Sequence, residues 1–231
     1  MDNKKQSWEE SYQKKDNFLF YPHEEIIRFF AKHISQRTGL TTFKKKHSNE
    51  GLPKVLDLGC GIGRHVIFSH EMQTEAYGVD LSESAISFAI DWAEKEGIQD
   101  ARKRIIQSDI TQMPFQNDFF DFVVSHGVLD SMSANICQKA IADTHRVMKP
   151  GGYFYCDLIS GDDSAHNPDF SGEEIVQTEH EKNTIQLYFN RKTINDFFSP
   201  YFDIVEIALI RRTNSLNNQF ISRYHIVLKK K

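Results

Sequence analysis

The chain has 231 residues, 39% of them hydrophobic, long enough for one α/β domain with a well-buried core, or one domain with a small cap. Its 28 Lys and Arg stand against 32 Asp and Glu, a formal net charge of -4, so the concentrated basic face that duplex nucleic acid needs is not expected, nor is nucleic acid as a partner. Three cysteines, Cys60, Cys137 and Cys156, lie in apolar contexts without CxxC spacing, which argues against a zinc site or a disulfide framework and for a reducing compartment.

The first fifteen residues are polar and do not resemble a signal peptide, and no apolar run approaches the roughly 20 residues of a membrane span. The expectation is a cytoplasmic protein. Two helical stretches open the chain, "SWEESYQKK" and "PHEEIIRFFAKHISQRTG". In the second, Pro22 stands near the start, Ile26, Ile27, Phe30 and Ile34 form one stripe, and Gly39 is the stop. The stretch "TTFKKKHSNE" reads as a solvated loop, and the lysines at the C-terminus as a solubilising tail.

Strands and helices then alternate. "KVLDLG" reads as a strand, "RHVIFSHEM" as a short helix, "AYGVD" as a strand, "ESAISFAIDWAEKEG" as a helix ended by Gly97, and "KRIIQSD" as a third strand. "FFDFVVSHG" has the unbroken apolar character of a strand buried on both faces. "SANICQKAIADTHRVM" has helical spacing, and Pro150-Gly151-Gly152 turns the chain into the strand "YFYCDLI". Such alternation means right-handed crossovers and a mainly parallel sheet with helices on both faces, which binds ligands beyond the carboxyl ends of its strands.

The last third differs. "SGDDSAHNPDFSGEEIVQTEHEK" is acidic and turn-rich, and reads as a long surface excursion that is either a lid or a plain connection. "NTIQLYFN", the helix "RKTINDFFSPY", "DIVEIALIRR" and "SRYHIVLKK" follow. The final two runs are joined too briefly for a parallel crossover, so they are expected as an antiparallel pair at the sheet edge.

The densest signal is "KVLDLGCGIGRH". Glycines after a strand permit positive φ and close approach of a ligand, and the next helix offers its N-terminal amides. Gly59, Gly61 and Gly63 make GxGxG, with Arg64 where a dinucleotide fingerprint has its third glycine, and no Gly-Lys-Ser/Thr follows as in a P-loop. Asp80 ends the second strand, where a carboxylate can accept from both hydroxyls of a ribose. Asp109 ends the third, placed to accept from an exocyclic amino group, and Asp57 can hold a cationic amino group. Each acid alone equally suits a turn or cap. Together they repel a pyrophosphate and suggest a nucleoside with a positively charged attachment.

On "VLDLGCGIGRH", "YGVDLS", "QSDITQMPF", "FDFVVSHGVLD" and "HRVMKPGGYFYCDL", in that order, the chain resembles class I S-adenosylmethionine-dependent methyltransferases, over about Leu52 to Ile159. The resemblance implies one doubly wound, seven-stranded, mainly parallel sheet with the last strand antiparallel and an N-terminal helical cap over residues 1–50. It implies S-adenosyl-L-methionine as cofactor, with Gly59, Gly61 and Gly63 along its methionine part, Asp80 at the ribose and Asp109 with Ile110 at the adenine. Asp57, Cys60, Leu81 and Ser125 join that set, and no metal is expected.

In such a reaction the cofactor carries an activated methyl group, so the protein aligns the acceptor and excludes water. A base is needed only where the acceptor must lose a proton. Two catalytic candidates follow the fourth strand in "SHGVLDSM". His126 is a base or packs beside the cofactor. Asp130 binds or deprotonates the acceptor, or else it or Ser131 caps a helix. His65 reads as a helix-face residue. Trp8, Tyr12, Phe18 and Tyr21 offer aromatic faces that suit a sulfonium, or else pack onto the domain; Tyr12 and Arg28 are singled out for the pocket. The expected acceptor is a small molecule methylated on O or N, enclosed by the N-terminal helices and the Gly161–Lys182 excursion. Alternatives are a protein or RNA acceptor and a non-catalytic cofactor-binding protein, while GxGxG disfavours a nicotinamide oxidoreductase.

Overall fold

The structure is a computed structural model that describes residues 9–13, 18–48, 50–167, 169–177 and 184–231. Residues 9–13 are helical. Helix α1 (Glu24–Phe29), capped by the His23 imidazole, runs into a π-helical turn, Phe30–Ile34. The helix was expected to continue to Gly39. Instead Ser35–Arg37 forms β1, paired antiparallel with β2 (Phe43–Lys45), so the polar stretch read as a loop contains a strand. On α1 the buried positions are Ile26 and Phe29, followed by Phe30 and Ile34 of the π-helical turn, while Ile27 is exposed, because one residue along a helix turns the side chain by about 100°.

The core elements follow in the expected alternation: β3 (Lys54–Leu58), α2 (Arg64–Glu71), β4 (Glu75–Asp80), α3 (Glu83–Lys95), α4 (Ala101–Arg104), β5 (Ile105–Gln107), β6 (Phe120–Ser125), α5 (Ala134–Val147) and β7 (Met148–Ile159). After them come β8 (Gly172–Ile175), β9 (Ile185–Tyr188), α6 (Arg191–Phe198), β10 (Phe202–Thr213) and β11 (Phe220–Lys230). Strand β7 begins five residues before the expected "YFYCDLI", and a register shift between Phe120 and Phe122 takes up the Pro150-Gly151-Gly152 segment. The acidic excursion is partly ordered as the β8–β9 hairpin.

Seven strands form the main sheet in the order β10-β11-β7-β6-β3-β4-β5. Strands β3 to β7 are mutually parallel, and β11 is antiparallel to both β7 and β10. The expected antiparallel pair is therefore at the edge, with the later strand on its inner side.

Alternate strand residues face opposite sides of the sheet. On one side Leu56, Val123, Phe154, Cys156, Ile226 and Leu228 pack with Cys137, Ala140 and Ile141 of α5 and Ile194 and Phe198 of α6. On the other, Val55, Phe122, Val124, Tyr155 and Val227 meet Ile26, Phe29, Phe30 and Ile34. Each side chain so buried contributes roughly 1.5–3 kcal/mol, which is what docks the short N-terminal helix. Beside it, α2 and α3 pack through Val66, Ile67, Ile86, Ala89 and Ile90. Lys230 is buried, its Nζ donating to Asp118 Oδ1 at 2.8 Å and the Met148 carbonyl at 2.7 Å, so Lys229 and Lys230 are part of the last strand rather than a tail. Cys60, Cys137 and Cys156 are buried, and none of the three is in a disulfide. Among the described residues no helix is long and apolar enough to cross a membrane.

Candidate functional site

The carboxyl ends of β3 and β4 meet in the glycine turn. Gly59, Gly61 and Gly63 have φ of +74°, +52° and +90°, and the amides of Gly59 and Cys60 both donate to the Val79 carbonyl at 2.9 Å, clamping the turn to β4. Gly59 and Gly61 each call for glycine twice over: both backbones are left-handed, and a Cβ would overlap the Val128 side chain at Gly59 and the Tyr12 hydroxyl at Gly61. Gly63 starts α2 with no side-chain cap.

Asp80 is buried and holds the turn from the side. Its Oδ2 accepts from the Gly61 amide at 2.8 Å and its Oδ1 from the Ser82 amide at 2.9 Å. Burial pushes its carboxyl up against the pull of these amides; each oxygen retains a lone pair. Asp57 is buried, with Oδ1 3.7 Å from His65 Nδ1. Its Oδ2 is out of contact with solvent and accepts no hydrogen bond among the described residues. Asp109 is exposed, and its Oδ1 accepts from both the amide and the hydroxyl of Thr111 at 2.8 Å, the turn role that was its alternative reading. Gln107 and Ser108 tie this segment to the Leu81 and Asp80 carbonyls at 3.0 and 2.9 Å, so Asp80, Leu81, Asp109 and Ile110 are neighbours across one strand end.

Cys60 is buried, and burial followed by Asp80 and Asp57 pushes its thiol well up, which makes it inert as a nucleophile. Ser125 is buried and donates to the Leu58 carbonyl at 3.1 Å. Tyr12 lies over the turn; burial, then Asp80, Cys60 and Asp57, push its phenol well up.

Beside the turn stands a second constellation, built by the period-two alternation that places Asp57, Tyr155, Asp157, Arg223 and His225 on one side of the sheet. His225 is directly opposite Asp157 in the β7–β11 register. Arg223 donates through Nε to Asp157 Oδ2 at 2.7 Å and through Nη2 to Asp130 Oδ2 at 2.6 Å. Asp157 Oδ1 also accepts the Gly127 amide at 2.7 Å, fixing the loop that carries His126. Burial opposes ionisation of Asp157, but Arg223, His126 and the Gly127 amide outweigh it and hold the carboxyl low.

His126 follows β6, with Nε2 3.6 Å from Asp157 Oδ2. Its Nδ1 is 3.3 Å from Nη2 of Arg64; a guanidinium only donates, so Nδ1 carries the lone pair and Nε2 the proton. Burial lowers its pKa to about 3. The ring lies 4.0 Å from that of His23 and 5.9 Å from that of His65, while His23 stacks on His225 at 5.8 Å. Nδ1 of His225 is 2.8 Å from the Tyr155 hydroxyl. Among the described residues no three His, Cys, Asp or Glu converge to hold a metal ion.

Several sequence expectations are corrected. Asp130 is neither exposed to an acceptor nor a cap: it is buried, accepts the Ile159 amide at 2.7 Å and is bound by Arg223, and Ser133 is the N-cap residue of α5. His65 does lie in the first turn of α2, but its side chain is buried, and its Nε2 accepts the His23 amide at 3.2 Å. Arg28 is not brought to this site, being exposed and ion-paired with Glu24 at 2.6 Å and Glu25 at 3.2 Å. Phe18 packs on Phe88 of α3 at 4.8 Å and Tyr21 is 84% exposed, so neither covers the turn as Tyr12 does. Trp8 lies outside the described residues. The sequence reading missed His23, Arg64, Tyr155, Asp157, Arg223 and His225. A signal was available for three of them: Asp157, Arg223 and His225 are polar residues in step with apolar ones on strands otherwise fit for burial.

The methyltransferase-domain family matches residues 49–206. A sterol 24-C-methyltransferase of Gibberella zeae is 35% identical over 105 residues, 44% of this chain and 26% of that protein. The chain spans 26% to 43% of the length of the first curated relatives it matches. Among solved structures, a SAM-dependent methyltransferase from Methanosarcina mazei gives a TM-score of 0.63 at 20% identity, covering 79% of this chain and 94% of that one. The 1,6-didemethyltoxoflavin-N1-methyltransferase of Burkholderia thailandensis gives 0.59 at 16% identity, covering 78% and 72%. These two likenesses establish the fold, and the family match extends over more than half of the chain. By sequence match, fold and motif order together, the chain belongs to the class I S-adenosylmethionine-dependent methyltransferases.

Proposed function

We propose that the chain, as a single methyltransferase domain, transfers a methyl group from S-adenosylmethionine to the oxygen or nitrogen of a small polar molecule. When bound, S-adenosylmethionine supplies a methyl on a sulfonium sulfur, displaced in line as the carbon–sulfur bond breaks with its electron pair remaining on sulfur.

The observation that carries this reading is the buried Asp57 Oδ2, an acceptor with no donor among the described residues, beside a glycine turn. A buried carboxylate oxygen left without a donor is costly, and an ammonium group would relieve it. In this reading Asp57 holds the amino group, the backbone of Gly59, Cys60, Gly61 and Gly63 follows the methionine part, and Tyr12 covers it. The spare lone pairs of Asp80 accept the ribose hydroxyls beside Leu81. Asp109 and Ile110 border the adenine, and Ser125 supports the turn from β6.

His126 is the candidate base, with Asp130 reassigned to supporting Arg223. Sterols and a toxoflavin precursor, named for two similar proteins, are both small molecules. The imidazoles, guanidinium groups and carboxylates beside the turn favour a more polar acceptor than a sterol. Three buried cysteines outside any disulfide suit the cytoplasm.

Transfer from methyl-labelled S-adenosylmethionine into size-fractionated cell extract tests the proposal. Label is expected in the small-molecule fraction only; label confined to protein or RNA would overturn the acceptor class, and cofactor binding without labelling of any fraction would overturn the activity.

A further inference from the structure

His126 presents a difficulty as a base. A general base works best with a pKa near the working pH, yet this imidazole is buried to a pKa of about 3, and Arg64 donates to its proton-accepting nitrogen. Both obstacles share one removable part. The Arg64 guanidinium is half-buried and, among the described residues, donates only through Nη2 to His126 at 3.3 Å and Nη1 to the Tyr21 carbonyl at 3.5 Å, both long contacts. Among the described residues no carboxylate lies within ion-pair distance of it, whereas Arg223 nearby is held by two. A guanidinium has five donors in a fixed fork that matches an oxyanion, so Arg64 is engaged far below its capacity.

We propose that Arg64 receives a carboxylate group of the methyl acceptor, and that taking it up releases Nδ1 of His126 to act as the base. The inference rests on the methyltransferase reading above and deepens it by naming the acceptor class. The carboxylate draws the Arg64 fork away from Nδ1 and brings a negative charge beside the imidazole, and both changes favour the imidazolium. Asp157 then acts as a positioning residue: facing Nε2, it keeps the proton on that nitrogen and leaves Nδ1 as the acceptor, and it stabilises the cation once formed. In the reaction the acceptor's O–H or N–H proton passes to Nδ1, and the electron pair it leaves forms the new bond to the methyl carbon. The other groups facing His126 are His23 from the start of α1, His65 from α2 and, behind Asp157, Arg223 from β11. Asp57 of β3 and Asp157 both attract the Arg64 cation, but among the described residues neither lies within ion-pair distance of it, so neither draws the fork off Nδ1 without a ligand.

Nitrogen-15 NMR of histidine-labelled full-length protein reads the tautomer and pKa of His126 directly, with acetate as the carboxylate probe and acetamide as its neutral match. In the parent, acetate is expected to raise the His126 pKa by about one unit or more and acetamide to leave it in place. Arg64→Gln should abolish the acetate response. Arg64→Lys, which keeps the charge without the fork, should retain a weakened one and guards against a folding defect in the glutamine variant. Equal responses to acetate and acetamide, or an unchanged acetate response in Arg64→Gln, would overturn the proposal. Asp157→Asn should move the proton from Nε2 to Nδ1, and an unchanged tautomer would remove the positioning role. A response to S-adenosylhomocysteine alone that Arg64→Gln abolishes would assign the carboxylate to the cofactor and overturn the acceptor reading. Acetate is tested without cofactor as well, so failure to bind S-adenosylhomocysteine, which would defeat the methyltransferase reading, is seen separately.

Discussion

The Tyr12 hydroxyl lies so close to the α-carbon of Gly61 that any side chain at Gly61 would overlap it. The N-terminal segment thus closes over the glycine turn by using the space that a missing Cβ leaves.

Gly61→Ala is therefore expected to do two things. The left-handed backbone, at φ +52°, costs an alanine about 1–2 kcal/mol, seen as a lower midpoint in urea. The methyl group also displaces Tyr12, so cofactor affinity should fall by at least about tenfold in calorimetry. Loss of stability with full affinity would mean that Tyr12 does not cover the bound molecule.

Arg223 bridges two carboxylates that are 1% and 0% exposed. Arg223→Met leaves both without their cation, and breaking buried pairs in this way costs about 3–5 kcal/mol. A urea midpoint lowered to that extent at constant slope is expected. Asp130→Asn with Asp157→Asn in the same chain should recover part of the loss.

Acid should destabilise the protein through His126. Burial holds its pKa at about 3 in the fold, below the 6.5 of an unfolded histidine, so the unfolded chain binds the extra proton first. Stability is therefore full above about pH 6.5 and falls by up to about 1.4 kcal/mol per pH unit from this group as pH drops towards 3. His23 and His225, also lowered by burial, act in the same direction. Thermal midpoints at pH 7.5 and 5 should diverge less in His126→Gln than in the parent.

His166 behaves in the opposite sense. Its Nδ1 is 2.9 Å from Asp163 and its Nε2 3.1 Å from Glu174. Burial pulls its pKa down, but the bonds to Glu174 and Asp163 outweigh this and raise it overall. The stabilisation is fully present below about pH 6.5 and lost as pH rises through the raised value. Amide protection factors around His166, taken relative to the intrinsic base-catalysed exchange rate at each pH, should fall between pH 6 and 8.5, and His166→Gln should remove that fall.

The parallel core was legible because its signals are local. Strand β6 is largely apolar, through Phe120, Phe122, Val123 and Val124, α3 and α5 keep helical spacing, and the acids Asp57, Asp80 and Asp109 stand at or beside strand ends. The order of the edge strands is a long-range property. Nothing in the spacing of "SRYHIVLKK" says that it inserts between β7 and β10, and only that insertion brings His225 opposite Asp157 and Arg223 onto Asp130 and Asp157. Asp130 was placed on the acceptor for the same reason: its partners lie 29 and 93 positions away. The N-terminal helix was overextended because "SQRTG" carries no stop before Gly39, whereas pairing with Phe43–Lys45 turns Ser35–Arg37 into a strand.

The most direct test of the central claim is a calorimetric titration of the full chain with S-adenosylhomocysteine, alongside Asp80→Ala. The parent should bind one equivalent with a dissociation constant in the micromolar range, and the variant at least about tenfold more weakly. No heat of binding at millimolar ligand, or equal affinity in Asp80→Ala, would contradict the assignment of the glycine turn and its acids to the cofactor.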